Sequence, residues 1–270
     1  MADISSLKIG FIGAGNMGKA IISGILDSNL TKADKIYAAD IFIEGLEKYA
    51  QSTGINVCMS NTDLVREADI IILSVKPNIL SDVLNEIKDN VGKKLIISIV
   101  AGASVKKIKD ILGSDSRVVR TMPNTPALVS EGMTAICYDD KVTEDNKQAA
   151  ESIFQSIGKV EIMDEKYLNS VIALSSSSPA YFFMMIEAMA DAAVLAGMTR
   201  NISYKMAAQT MLGSAKMVLE TGKHPGELKD MVCSPAGTTI EAVAELEKTG
   251  FRNSIISAMK ACTDKADRME

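Results

Sequence analysis

Two kinds of apolar patterning divide the chain. From the start to about residue 160, short runs of β-branched and aliphatic residues alternate with longer amphipathic stretches, which is how βαβ units around a parallel sheet read. Ile9, Phe11 and Ile12 open the series, and further strands are expected over 35–40, 55–58, 70–75, 95–99, 118–122, 134–138 and 159–163. Helices are expected between them, over 17–28, 43–52, 62–67, 79–90, 104–112 and 143–156. From Glu165 the strand signals stop, and helical patterns rich in Ala, Met and Leu follow over 167–198, 203–221, 225–232, 238–248 and 253–267. The expected division is therefore an α/β domain over 1–164 and an all-helical domain over 165–270.

The stretch 167–198 is apolar around most of its circumference, through Ala180, Phe183, Met184, Ala188, Met189, Ala192 and Leu195. A helix of that kind must be covered on most sides, and the remaining tail can scarcely supply the cover. We expect it to pack against another subunit. Ser178-Pro179 should interrupt it, because proline removes a backbone donor and restricts the residue before it.

The first strand breaks into Gly13-Ala14-Gly15-Asn16-Met17-Gly18, three glycines at GxGxxG spacing. Gly13 permits the tight turn, Gly15 lets a pyrophosphate approach the backbone, and Gly18 lets the next helix lie close to the sheet. The free N–H groups of that helix, beginning at Asn16 and Met17, face the phosphates without a basic side chain. Alone the spacing is a weak signal. Here a strand precedes it, a helix follows, and Asp40 ends the second strand about 20 residues on, so we expect a dinucleotide cofactor.

Composition narrows the class. With 47% hydrophobic and 23% charged residues, a net charge of −5 and no Lys/Arg run, the chain is expected to be a globular protein with neither nucleic acid nor a membrane as its partner. The first residues are acidic where a secretory signal would be basic, so cytoplasm is the expected compartment. Cys58, Cys137, Cys233 and Cys262 are scattered without a CxxC pair, which suggests reduced thiols, no metal and no disulfide framework.

Other chemistry collects at the carboxyl ends of strands, where open α/β sheets bind ligands. Ser74, Lys76 and Pro77 follow one strand, and Lys76 could approach a cofactor phosphate or simply be solvated. Met122, Pro123 and Asn124 open a stiff loop with Pro126 after another, and Ala101 begins a small-residue turn after a third. In the helical half, Ser234-Pro235-Ala236-Gly237-Thr238-Thr239 reads as a turn into a helix start, either an anion trap made by the amides of Gly237, Thr238 and Thr239 or a plain helix cap. The single histidine, His224, sits beside Pro225 as a surface loop residue, and no lysine occurs between Lys166 and Lys205. Acid/base groups are therefore scarce, which suits a substrate such as an imine that carries its own electrophilic activation.

Taken together, Ile9 to Gly18, Val75-Lys76-Pro77, Arg120 to Pro126 and Pro225 to Glu247 resemble the corresponding motifs of the pyrroline-5-carboxylate reductase family along the full length. The resemblance implies an N-terminal Rossmann dinucleotide-binding domain and a C-terminal all-helical dimerisation domain interlocking with a second subunit. It implies hydride transfer from NADH or NADPH to the C=N carbon of 1-pyrroline-5-carboxylate, giving L-proline. Carried over by motif, Gly237, Thr238 and Thr239 hold the substrate carboxylate beside Ser234, and the Thr239 hydroxyl serves the ring nitrogen as the catalytic group. Asn61, Ser74, Lys76 and Ala101 match positions near the cofactor. A homodimer through the helical domain is implied, with a ring of dimers as a larger assembly left open.

Two departures stand out. Ser176 and Ser178 replace glycines of the family pattern, and Ala236 replaces another, which should tighten the substrate pocket. Asp40, with Ile41 and Phe42 after it and no Arg close by, suits a free ribose 2′-hydroxyl and repels a 2′-phosphate, so NADH is expected to be preferred. A reductase acting on another small carboxylate, and a dinucleotide sensor without turnover, remain the alternatives.

Overall fold

A computed structural model describes residues 4–269. The chain forms two compact units, 4–177 with 262–269, and 178–261. The first unit carries an eight-stranded sheet in the order β3-β2-β1-β4-β5-β6-β7-β8. Its strands are β1 (Ile9–Ile12), β2 (Ile36–Ala39), β3 (Asn56–Val57), β4 (Ile70–Leu73), β5 (Leu95–Ser98), β6 (Arg117–Met122), β7 (Gly132–Tyr138) and β8 (Gly158–Ile162). Its helices are α1 (Asn16–Asp27), α2 (Ile43–Thr53), α3 (Asn61–Glu67), α4 (Leu80–Val91), α5 (Val105–Leu112), α6 (Glu144–Gln155) and the single turn α7 (Leu168–Val171).

Every residue of β1, β4 and β5 is buried, as expected of parallel strands covered on both faces. One face packs Phe11, Ile21, Ile25, Leu46, Ile153 and Phe154 into a core under α1, α2 and α6. The other packs Ile12, Leu64, Ile71, Leu84, Ile96 and Ile108 under α3, α4 and α5. The strand order reverses at β1, between β2 and β4, so the crevice at the carboxyl ends of these strands is the topological switch point.

The expected parallel arrangement breaks at one place. β7 runs antiparallel to β6, pairing Thr121 with Ile136 and Met122 with Ala135. The link between them is one short 3-10 turn, Thr125–Val129, and a parallel crossover needs about a dozen residues or more. β8 then returns parallel to β7 through α6.

The stretch after 167 is interrupted at Ser178-Pro179, as expected. After α7 the backbone widens into a π turn, Ile172–Ser176, closed by the Ser177 amide donating to Ile172 O at 2.8 Å. A new helix, α8 (Ser178–Leu195), then starts with Pro179 as its second residue, where a missing N–H costs nothing. α9 (Arg200–Thr221), α10 (Pro225–Val232), α11 (Thr238–Lys248) and α12 (Phe251–Asp267) complete the chain. α12 begins in the second unit and its last turns belong to the first. α8 packs on α9, yet Phe183, Met184, Leu195, Met206, Leu212 and Leu219 are exposed. The segment 165–195 is long and apolar enough to cross a membrane by length and composition, and only 22% of its most apolar window is buried within the chain.

Candidate active site

The β1–α1 turn is built around Gly13. Its φ is +94°, and a Cβ there would stand 2.4 Å from the carbonyl oxygen of Ser74, so no side chain fits. Gly18 lies against the same turn, where a Cβ would be 2.8 Å from Gly13 O. Gly15 differs: a Cβ there meets nothing within 4 Å. It caps α1 with no side-chain oxygen and no acidic residue in the first turn, so the helix presents unsatisfied N–H groups and the positive end of its dipole.

These groups open onto a cavity of about 510 Å³ at the switch point, within the usual size for a small-molecule site. Of the cofactor residues expected from sequence, Gly13, Gly15, Asn16, Met17, Asp40, Asn61, Ser74, Lys76, Ala101 and Pro123 line it. Lys76 is exposed there with no carboxylate partner among the described residues, while the Asn61 amide donates to Glu86 Oε2 at 2.7 Å. The carboxylate of Asp40 accepts two backbone amides, from Ala14 at 2.7 Å and Phe42 at 2.8 Å.

Four expected residues are not in the lining. Gly18 supports the turn from behind, and Pro77 begins the short helical turn after Lys76. Met122 is in a core cluster with Ala135, Leu168 and Val171. Asn124 is buried and bonded at both ends of its amide, donating to Ser175 O at 3.0 Å and accepting the Met133 amide at 2.9 Å. Beside it the Ser176 hydroxyl donates to Pro123 O at 3.2 Å, a bond glycine could not make. Sequence reasoning missed the apolar lining, notably Ile41, Val75, Ile79, Val83, Val100 and Leu128. Val83 lies on the buried face of α4 and reads as core, whereas Ile41 and Val75 could have been found as apolar residues just past strand ends.

In the second unit, Ser234, Gly237, Thr238 and Thr239 meet at one turn. The Gly237 amide, expected as one of three free donors, instead donates to Ser234 O at 3.0 Å and closes the turn. Gly237 then caps α11 without a side-chain oxygen, leaving the amides of Thr238 and Thr239 as donors of the first turn. A Cβ on Gly237 would stand 2.3 Å from Ser234 Oγ and 3.1 Å from Ser234 O, so a side chain here would have to turn that hydroxyl aside. Ala236 has φ +54°, a left-handed conformation in a residue that carries a Cβ. His224 is exposed, as expected, and caps α10: its Nδ1 accepts the Gly226 amide at 3.0 Å. Among the described residues no cluster of His, Cys, Asp and Glu could hold a metal ion.

Comparison with known proteins assigns this arrangement. The family described as pyrroline-5-carboxylate reductase dimerisation matches residues 165–269, and the family of coenzyme F420-dependent NADP oxidoreductases matches residues 8–102. The pyrroline-5-carboxylate reductase of Escherichia coli K12 is 48% identical over 263 residues, covering 97% of this chain and 98% of that one. The chain belongs to the pyrroline-5-carboxylate reductase family. Another member, from Methanosarcina acetivorans, is 44% identical over 97% of both chains. The crystal structure of the Plasmodium falciparum member with NADP bound superposes with a TM-score of 0.91 at 35% identity, covering 98% of each chain. For this family the Rossmann domain with a helical dimerisation domain is the shared fold, and the apolar surface of α8 and α9 lies within the dimerisation region.

Proposed function

We propose that this chain is an NAD(P)H-dependent oxidoreductase acting on a C=N bond, reducing 1-pyrroline-5-carboxylate to L-proline in proline biosynthesis. The observation that carries this reading is full-length membership of the family combined with the uncapped, glycine-lined start of α1 opening onto the switch-point cavity. The residues present fit a dinucleotide. Gly15 leaves room for a pyrophosphate, the first N–H groups of α1 and the Lys76 ammonium supply positive potential, and apolar side chains wall the rest. When bound, the nicotinamide supplies the hydride for the imine carbon.

The chain's own part is positioning. The amides of Thr238 and Thr239, with Gly237 permitting close approach and Ser234 shaping the turn, hold the substrate carboxylate at the positive end of α11. The Thr239 hydroxyl hydrogen-bonds the ring nitrogen. That nitrogen arrives already protonated in the iminium form, so no strong general acid is required. Asp40 at the ribose end favours NADH over NADPH. The functional halves divide at 164/165, and the helical half forms a homodimer through α8 and α9, with a ring of dimers as a higher assembly. A reducing cytoplasm suits four free thiols.

The test is the loss of reduced-cofactor absorbance when 1-pyrroline-5-carboxylate is added to the purified protein; no loss rejects the proposal. Thr239→Ala should raise the substrate KM or lower turnover while cofactor affinity stays unchanged. Weakened cofactor binding in that variant would put Thr239 in the wrong site.

A further inference from the structure

Ile99, Val100 and Ala101 wall the cavity on one side, and the loop that carries them runs through Gly102 and Ala103 to Ser104. Val100 and Ala103 are anchored in the core, while Ala101 and Gly102 between them are too small to fix a shape by their own packing. Support comes from elsewhere in the first unit. Gly102 is buried at φ +66°, and a Cβ there would stand 2.9 Å from Met269 Cβ and 3.2 Å from the Met269 carbonyl oxygen. The turn after α12 therefore lies directly on the middle of the loop, anchored by the buried Ala266, whose carbonyl accepts the Met269 amide at 3.0 Å.

A polar relay ties the last residue of α12 to the end of the loop. Asp267 Oδ1 accepts from Asn169 Nδ2 at 3.0 Å, and Asn169 Oδ1 accepts from Arg120 Nη2 at 3.4 Å. Arg120 Nη1 donates to Glu165 Oε1 at 2.9 Å. That oxygen also accepts the amide of Val105 at 2.7 Å, the first residue of α5 and the one that follows the loop. Arg120 is only 1% exposed, and a buried charge is strongly tied to its partners. The loop is thus gripped at its middle by Met269 and at its end by the chain of bonds that starts at Asp267.

We propose that Asp267 and Met269 are positioning residues for the cofactor: they hold the loop 100–104 in the shape that walls the dinucleotide cavity, from the end of α12 and the turn after it, which do not themselves line it. This rests on the reading of the cavity as the dinucleotide site. The measurement is the dissociation constant of reduced cofactor, read from its fluorescence, for the full chain and for Asp267→Ala, Asp267→Asn and Met269→Gly. Asp267→Ala and Met269→Gly should each bind about fivefold more weakly, the worth of one hydrogen bond or packing contact. Asp267→Asn keeps an oxygen for Asn169 and should return to within twofold of wild type. The KM for the pyrroline substrate at saturating cofactor should not move.

Binding within twofold of wild type in both Asp267→Ala and Met269→Gly overturns the proposal, as does an Asp267→Asn variant no better than Asp267→Ala, or an equal rise in substrate KM. Where a variant fails to fold, hydrogen exchange in the wild type answers the same question. Cofactor should raise the protection of amides 100–105 and 267–269 together, and protection confined to the loop overturns the link. A wild-type chain that binds neither NADH nor NADPH removes the reading of the cavity itself, a result distinct from variants that bind as well as a binding wild type.

Discussion

Asp40 Oδ2 accepts the amide of Ala14 at 2.7 Å, so the carboxylate that follows β2 is bonded across to the glycine turn that follows β1. Its other oxygen accepts the Phe42 amide, which fixes its rotamer and leaves lone pairs on both oxygens for a ribose hydroxyl. One side chain thereby shapes the glycine turn and places a carboxylate in the cavity wall. Asp40→Ser should lower kcat/KM with NADH by about tenfold, the loss of one charge-assisted hydrogen bond. With NADPH the loss should be smaller, because repulsion of the 2′-phosphate is relieved. Initial rates with the two cofactors check this, and an unchanged ratio would mean that Asp40 acts on the turn alone.

Gly13 and Gly15 are two residues apart and should respond oppositely to alanine. At Gly13 the added methyl meets Ser74 O at 2.4 Å in a left-handed backbone, so Gly13→Ala should destabilise the fold by about 3 kcal/mol or more, read by urea unfolding. At Gly15 the backbone is extended and nothing stands within 4 Å. Gly15→Ala should keep the wild-type melting temperature yet bind cofactor at least about tenfold more weakly, because the methyl occupies the approach of the pyrophosphate. Calorimetry of binding separates the two effects.

The strands of the first unit were legible because buried parallel strands leave unbroken apolar runs such as Ile70–Leu73, and the glycine spacing carried the site with them. Strand direction leaves no such mark in β7 itself; only the short link through Thr125–Val129 records it. The hydrogen bonds of Asn124 were illegible for a related reason. A polar residue at the carboxyl edge of a sheet reads as a ligand, whereas its partners, Ser175 O and the Met133 amide, lie 51 and 9 positions away and no local pattern announces them. The relay from Val105 through Arg120 to Asp267 was hidden in the same way, because it joins four segments that only the tertiary fold brings together.

Cys137, buried beside Glu165, should make the fold sensitive to alkali. Burial is the main cause and the Glu165 carboxylate adds to it, so the thiol is pushed from its ordinary 9.0 up to about 11, against a smaller opposing pull from Arg120. Above pH 9 the unfolded chain loses this proton while the folded chain keeps it. The unfolded state then binds fewer protons, and stability falls as pH rises from about 9 to 11. Cys137→Ala should flatten that part of the curve in urea titrations across the window. At pH 8 the wild-type thiol should react with a maleimide far more slowly than the partly exposed Cys233 and Cys262.

Ala236 sits at φ +54° in the turn that delivers Gly237 to the start of α11. A left-handed conformation costs a residue with a Cβ about 1–2 kcal/mol, so Ala236→Gly removes strain. The same change frees the unfolded chain and costs about 0.4–1 kcal/mol in the opposite direction. Relief is the larger effect, and the variant should be more stable by up to about 1 kcal/mol, with a melting temperature raised by a few degrees. Loss of the methyl also widens the turn beside Ser234 and Thr238. The substrate KM should then change while the cofactor KM does not, and steady-state kinetics with each held in excess measures both. A variant that is less stable than wild type would mean that the left-handed turn is held by contacts to the Ala236 methyl itself.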